Sequence, residues 1–242
     1  PVIIDRNINL KEAVEKIVDG ASFDHGIICS HEQFVLAPEE NFDQTIELFT
    51  NTGKVWFTDD KSQIQKLREV VFLDGHLNKD VVGKSASDVG KMAGIEVPDT
   101  ARLILLPADG SGTDDVLAKE KLCPVIAIIP YSTFENAVAM AKANLLVEGA
   151  GHSAALHSND DENIKMAGIE LPISRLVVNQ PSSTTAGGSL TNGFAPTTTL
   201  GCGSWGGNSI SENLDYKHLM NVSRIGKVIT DKEVPSDEEI WA

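Results

Sequence analysis

Among the 242 residues of the chain, three cysteines and six histidines are the side chains best suited to polar catalysis. Cys29 lies in the segment S-F-D-H-G-I-I-C-S-H-E-Q, residues 22–33, close to Gly26 and with His25 and His31 on either side. A thiol on such a loop becomes a carbonyl nucleophile when its pKa is lowered and thiolate accumulates. Free cysteine is also among the most buried residue types, so local chemistry leaves a structural thiol open. Cys123, between Leu122 and Pro124 and just ahead of an apolar run, reads as core, and Cys202, between two glycines, carries no local signal either way. His152, in E-G-A-G-H-S at 148–153, stands at an expected helix-to-strand junction. An imidazole there is a candidate general base near neutral pH, and the alternative is a hydrogen-bonded loop histidine. Glu120, in A-K-E-K-L-C-P-V, directly precedes the most apolar strand candidate. Strand edges of α/β sheets are common ligand positions, although an exposed carboxylate is more often only solvated.

Other chemistries are disfavoured by spacing. There is no C-x-x-C, no H-x-x-x-H and no Cys/His cluster, so no metal site is expected. Gly201-Cys202-Gly203-Ser204-Trp205-Gly206 matches G-x-G-x-x-G by letter. A dinucleotide-binding turn would follow a hydrophobic strand and open a helix, whereas this one follows three threonines and a leucine with no second βα unit after it. The match is therefore read as accidental. The formal net charge of −15 argues against nucleic-acid or anionic-membrane partners, which need a surplus of Lys and Arg. No run of about 18 apolar residues marks a membrane span. Three widely spaced cysteines suit a reducing, cytoplasmic setting rather than a disulfide framework.

These residues need a scaffold, and the hydrophobic pattern supplies one. Val2 to Ile4, Gln33 to Ala37, Val55 to Phe57, Leu103 to Leu106, Val125 to Ile129, His152 to His157 and Leu176 to Asn179 read as strands. Between them, residues 8–21 place Leu10, Ala13, Val14, Ile17 and Val18 on one helical face, with Asn7 or Asn9 as cap. Residues 41–50, 61–71 (capped by Asp59 or Asp60), 85–94 (closed by Gly94) and 133–146 are the other helix candidates. Alternation at crossover spacing predicts an α/β fold with a mainly parallel sheet. Gly, Ser and Thr dominate from about 180 to 211, and the alternating stretch His218 to Ile229 predicts one more strand before an acidic tail at Asp231 to Glu239.

Taken in order, these segments resemble the CoA-acylating aldehyde dehydrogenases, including the aldehyde-dehydrogenase half of bifunctional aldehyde/alcohol dehydrogenases. The resemblance runs through S-F-D-H-G-I-I-C-S-H-E-Q, K-E-K-L-C-P-V at 119–125, G-A-G-H-S at 149–153 and V-V-N-Q-P-S-S at 177–183. It is strongest at T-L-G-C-G-S-W-G-G-N-S-I-S-E-N-L, residues 199–214. It implies a three-layer α/β/α sandwich, with residues 1–211 as the thiol-bearing catalytic domain and 212–242 as an oligomerisation strand and tail. The chain opens on a buried-strand-like segment, Pro1-Val2-Ile3-Ile4, which the resemblance places at the start of the catalytic domain with the N-terminal NAD-binding half lying outside it.

By the same resemblance, Cys29 would add to an aldehyde to give a thiohemiacetal, pass hydride to NAD⁺, and hand the resulting thioester to coenzyme A, in a reversible reaction. The Cys29 N–H would be one oxyanion donor. A second donor, an Asn, and the general-base Glu of hydrolytic members would lie upstream of Pro1. His152 matches a histidine proposed as base for the CoA step, and Glu120 matches the carboxylate that holds the nicotinamide ribose hydroxyls. Ser153 stands where many relatives have Thr. The implied setting is a cytoplasmic homo-oligomer, or one housed in a bacterial microcompartment, acting on a small aldehyde. The isolated chain is expected to show little or no turnover. Two other readings stand beside this one: a hydrolytic aldehyde dehydrogenase releasing a free acid, and a non-catalytic assembly module built on the 218–229 strand, whose edge would otherwise be unpaired.

Overall fold

The computed structural model describes residues 1–242. Seven strands form a parallel sheet: β1 (Val2–Ile4), β2 (Phe34–Pro38), β3 (Val55–Phe57), β6 (Leu103–Pro107), β7 (Val125–Tyr131), β8 (Gly151–His157) and β9 (Ile173–Val178). A two-stranded antiparallel hairpin, β4 (Phe72–Leu73) and β5 (His76–Leu77), stands apart. The sheet order is β3-β6-β7-β2-β1-β8-β9, with Val2 opposite Val35 on one side and Ala155 on the other.

Period-two alternation sends successive side chains to opposite faces of this sheet, and each face is covered. Val2, Ile4, Val35, Ala37, Ile126 and Ile128 pack against α1 (Leu10–Ser22) and α2 (Phe42–Asn51). Ile3, Phe34, Leu36, Val125 and Ala127 belong to a larger core closed by α3 (Lys61–Val71), α4 (Ala86–Met92), α5 (Phe134–Val147) and α6 (Asp161–Glu170). The result is the expected α/β/α sandwich. Local chemistry fixes the helix starts: Asn9, Asp60, Thr133 and Asp160 each accept a first-turn N–H, which would otherwise be unpaired. Gly94, at φ +66°, closes α4.

Three differences from the sequence expectations matter. Helix α6 was not foreseen, and β9 begins at Ile173 rather than Leu176. The strand expected over 218–229 does not form within this single chain. Tyr216–Leu219 is instead a 3₁₀ turn, and residues 220–229 run without a partner strand, with Ile225 and Val228 almost fully exposed. An extended segment becomes a strand only when its N–H and C=O groups are paired, and no free sheet edge of this chain meets it. A four-residue α7 (Ser182–Thr185) and a terminal α8 (Asp237–Trp241) complete the elements. No helix is long and apolar enough to cross a membrane.

Because all seven strands are parallel, the segments that enter β2, β7 and β8 converge on one edge of the sheet. That edge is where Cys29, Glu120 and His152 lie.

Candidate active site

The Cys29 loop is set by an unusual backbone. After α1 the chain makes a tight turn at Phe23–Gly26, in which Asp24, His25 and Gly26 all adopt positive φ, 47°, 55° and 70°. Left-handed conformations cost non-glycine residues free energy, so surrounding contacts must hold them. One such contact is visible at Gly26: a Cβ there would meet the carbonyl of Cys123 at 2.8 Å. Glycine thus lets this loop lie directly on the 120–124 segment. That segment is strained in turn, with Leu122 at φ 46°.

The two segments are stitched by side chains as well. The Gln33 amide oxygen accepts the Lys121 N–H at 3.2 Å. Lys121 is fully buried and donates its ammonium to the carbonyls of Leu117 (2.6 Å) and Lys119 (2.9 Å). Burial lowers its pKa to about 8. Cys123 is buried core, as expected, and its thiol is pushed up to about 12 by desolvation.

Cys29, Glu120 and His152 line a single cavity of about 350 Å³. Cys29 is exposed at its mouth, and its N–H is claimed by no backbone carbonyl. The thiol pKa is raised, first by partial desolvation and then by the charge of Glu120. Arg175 pulls the other way and is outweighed. Desolvation first and the Glu120 charge second thus favour the neutral thiol in this chain.

Glu120 is half-buried, and its carboxylate makes no hydrogen bond within the chain. Its own N–H is held by Glu148 at 3.0 Å, and burial followed by the Glu148 charge raises its pKa. Two unpartnered acceptor oxygens facing a cavity suit a vicinal diol, so the residue fits a ribose. Three carboxyl groups, Glu32, Glu120 and Glu148, and no Lys or Arg line the cavity. It is therefore electrostatically suited to the uncharged reacting ends of its ligands rather than to their phosphates.

His152 occupies the facing wall at the start of β8, just after Gly151. Burial first, and then the Arg175 charge, lower its pKa to about 4, so the ring is neutral at physiological pH and a weak base. Its Nδ1 lies 3.1 Å from the Ser153 hydroxyl. The glycine-rich 199–214 segment, already discounted as a dinucleotide turn, forms an irregular loop folded over this strand. A Cβ on Gly151 or Gly206 would run into Cys202, and one on Gly201 into the carbonyl of Ile210. Those glycines exist for close backbone approach.

Two residues of the site escaped sequence reasoning. Glu32 is 2% exposed, and its carboxyl accepts the N–H of Ser182 at 2.7 Å, while its second oxygen has no partner. Gly20 of α1 leaves the space it fills. Desolvation raises its pKa to about 8, so it is held as a neutral acid that anchors the Cys29 loop without adding another negative charge beside the thiol. Arg175, 3% exposed on β9, has no carboxylate partner. It donates to the carbonyls of Gly201 (2.6 Å) and His152 (3.1 Å), to Ser153 Oγ (3.3 Å) and to Asn213 Oδ1 (3.3 Å). An Arg interrupting an apolar β pattern was the available signal. His25, by contrast, is exposed and away from the cavity, whereas His31 is buried behind the loop, with its pKa lowered to about 4 by desolvation.

Comparison with known proteins gives a consistent picture. No family model matches the chain. An acetylating succinate-semialdehyde dehydrogenase from Clostridium kluyveri is 52% identical over 240 residues, which is 99% of this chain and 52% of that protein. The crystal structure of a probable aldehyde dehydrogenase from Listeria monocytogenes aligns at a TM-score of 0.87 with 34% identity, over 99% of this chain and 51% of the other. That of an acetylating aldehyde dehydrogenase from Geobacillus thermoglucosidasius aligns at 0.89 with 31% identity, over 98% and 51%. The chain thus spans about half the length of the relatives it matches.

Proposed function

We propose that this chain, which is similar along nearly its whole length to an acetylating succinate-semialdehyde dehydrogenase and to aldehyde-alcohol dehydrogenases, supplies the acyl-carrying half of a CoA-acylating aldehyde dehydrogenase reaction: aldehyde, CoA and a nicotinamide dinucleotide give acyl-CoA and the reduced dinucleotide, reversibly. The observation that carries the proposal is the convergence of Cys29, Glu120 and His152 on one cavity from three separate stretches of sequence. In this reading the Cys29 thiolate adds to the aldehyde carbon, and the alkoxide so formed is met by the Cys29 N–H. A bound nicotinamide dinucleotide supplies a hydride acceptor, and Glu120 would hold its ribose hydroxyls. Loss of hydride leaves an acyl thioester on Cys29. Sulfur suits both roles, as nucleophile in one half and leaving group in the other. His152, across the cavity, serves the CoA half. The protein is read as using NAD, as a homo-oligomer whose exposed 218–229 segment pairs with another subunit, and as working in a reducing, cytoplasmic setting. Residues 1–211 are the catalytic unit and 212–242 the assembly segment. Because the relatives are about twice as long, the 242-residue chain alone is expected to give no turnover.

The test is product analysis with the full-length protein that carries this chain, a small aldehyde, CoA and NAD⁺. CoA-dependent acyl-CoA formation that vanishes in Cys29→Ala supports the proposal. Free carboxylic acid formed without CoA would instead mark the hydrolytic chemistry, and undiminished activity in Cys29→Ala would defeat both thiol-based readings in favour of the assembly role for this chain.

A further inference from the structure

The hydrogen bonds around His152 bear on what this residue does in the CoA half of the proposed reaction, and the inference rests on that reading. Arg175 Nε–H, a donor under all conditions, is directed at Ser153 Oγ at 3.3 Å. Ser153 Oγ must therefore accept from Arg175, which leaves its own hydrogen to donate. A hydroxyl that accepts from a cation becomes a stronger donor and a weaker second acceptor. Within 3.1 Å of that hydroxyl lies His152 Nδ1. With Ser153 donating that hydrogen to the ring, the chain Arg175 to Ser153 to His152 runs donor to acceptor, which would make Nδ1 the acceptor and place the ring proton on Nε2. The guanidinium is fixed from its other side by the carbonyls of His152 and Gly201 and by Asn213, whose own amide is held by the carbonyls of Ala186 and Ala195. These contacts hold its Nε–H on Ser153 Oγ.

We propose that Ser153 and Arg175 are positioning residues that lock His152 as a neutral Nε2–H hydrogen-bond donor, and that His152 assists acyl transfer by stabilising the CoA thiolate rather than by removing its proton. The charge facing the ring is Arg175, on the neighbouring strand β9, and it opposes protonation. A neutral donor is the role such a ring can fill.

The chemistry needs no more than this. In the transfer step the CoA thiolate forms a C–S bond to the acyl carbon, the carbonyl electrons move onto oxygen, and their return breaks the bond to Cys29. One thiolate enters and one leaves. Atoms and charge balance with no proton moved, and the proton of the CoA thiol is lost to solvent beforehand. In reverse, the same Nε2–H receives the CoA sulfur as it departs.

The acyl-transfer half-reaction is separable from hydride transfer: the protein is mixed with acyl-CoA in the absence of dinucleotide and acylation of Cys29 is followed by quenched-flow mass spectrometry. If His152 is a donor, His152→Gln, which keeps an N–H in place, retains the rate within about tenfold, and His152→Ala loses on the order of a hundredfold, the usual effect of removing one such donor. Ser153→Ala frees the ring to change tautomer and slows transfer, and Ser153→Thr restores it. Long-range ¹H–¹⁵N correlation of the imidazole, assigned by comparison with His152→Gln, should show Nε2 protonated and Nδ1 bare in the wild type, with mixed tautomers in Ser153→Ala. His152→Gln as slow as His152→Ala, or a proton found on Nδ1, overturns the donor assignment while leaving the Cys29 reading intact. No acylation of Cys29 in the wild type, by contrast, defeats the reading on which the inference rests.

Discussion

Replacing Glu32 with Gln should make the chain more resistant to unfolding as pH rises. Glu32 is 2% exposed, and burial raises its pKa from 4.5 to about 8. Between those values the folded chain keeps a proton that the unfolded chain has released. Wild-type stability therefore falls with rising pH by about 1.4 kcal/mol per unit, and the loss is complete above the folded pKa. Gln cannot ionise, has the same shape, and retains an oxygen for the Ser182 N–H. The difference in unfolding free energy between Glu32→Gln and wild type should therefore move in favour of the variant by about 3 kcal/mol from pH 5.5 to pH 7.5. The buried histidines titrate in both proteins and cancel in that difference. Urea unfolding at several pH values, with linear extrapolation, provides the measurement. Parallel pH curves for the two proteins would mean that Glu32 is ionised in the fold, and would refute the argument that desolvation governs it.

Other consequences can be checked in the same way. Glu120→Gln removes the charge that helps hold up the Cys29 thiol, so iodoacetamide labelling of Cys29, followed by peptide mass spectrometry, should reach its half-maximal rate at lower pH than in wild type; an unchanged profile would exclude Glu120 as a cause. Gly151→Ala places a Cβ against the Cys202 carbonyl at a residue with φ of +84°. The backbone alone should cost about 1–2 kcal/mol in urea unfolding, and the 199–214 loop should lift from β8, with acyl transfer from CoA falling alongside. His31, His152 and His157 are each lowered from 6.5 to about 4 by burial. The unfolded chain takes up these protons first, so their stability contribution is full above pH 6.5 and is lost as pH falls toward 4; acid unfolding should steepen over that interval and soften in His157→Gln.

How far the sequence anticipated this molecule depended on the range of the interactions involved. The Val125–Ile129 run and the Leu10–Val18 helical face announced β7 and α1 because their patterns are local and uninterrupted. Helix α6 was missed because Ile164, Met166, Ala167 and Ile169 make no clean stripe; only the cap at Asp160 marked it. β9 extends further than its apolar pattern because Arg175 interrupts that pattern, and the interrupting side chain is the one that bonds Ser153 and the His152 carbonyl. Cys29, His152 and Glu120 could be nominated from type and flanking motif. Glu32 could not, because its burial is decided by Ser182, 150 residues away, and by a glycine in α1. The 218–229 stretch has strand-like alternation, but pairing is a property of two segments, and this chain offers only one.

Cys29 carrying the acyl group is the central step of the proposed reaction. Incubating the protein with an acyl-CoA without dinucleotide, quenching in acid and mapping the mass increase by peptide sequencing tests that directly. The predicted result is a single acyl adduct, sensitive to hydroxylamine as a thioester should be, on Cys29 and lost in Cys29→Ala. An adduct on Cys202 or Cys123, or transfer of the acyl group with Cys29 replaced by Ala, would contradict it.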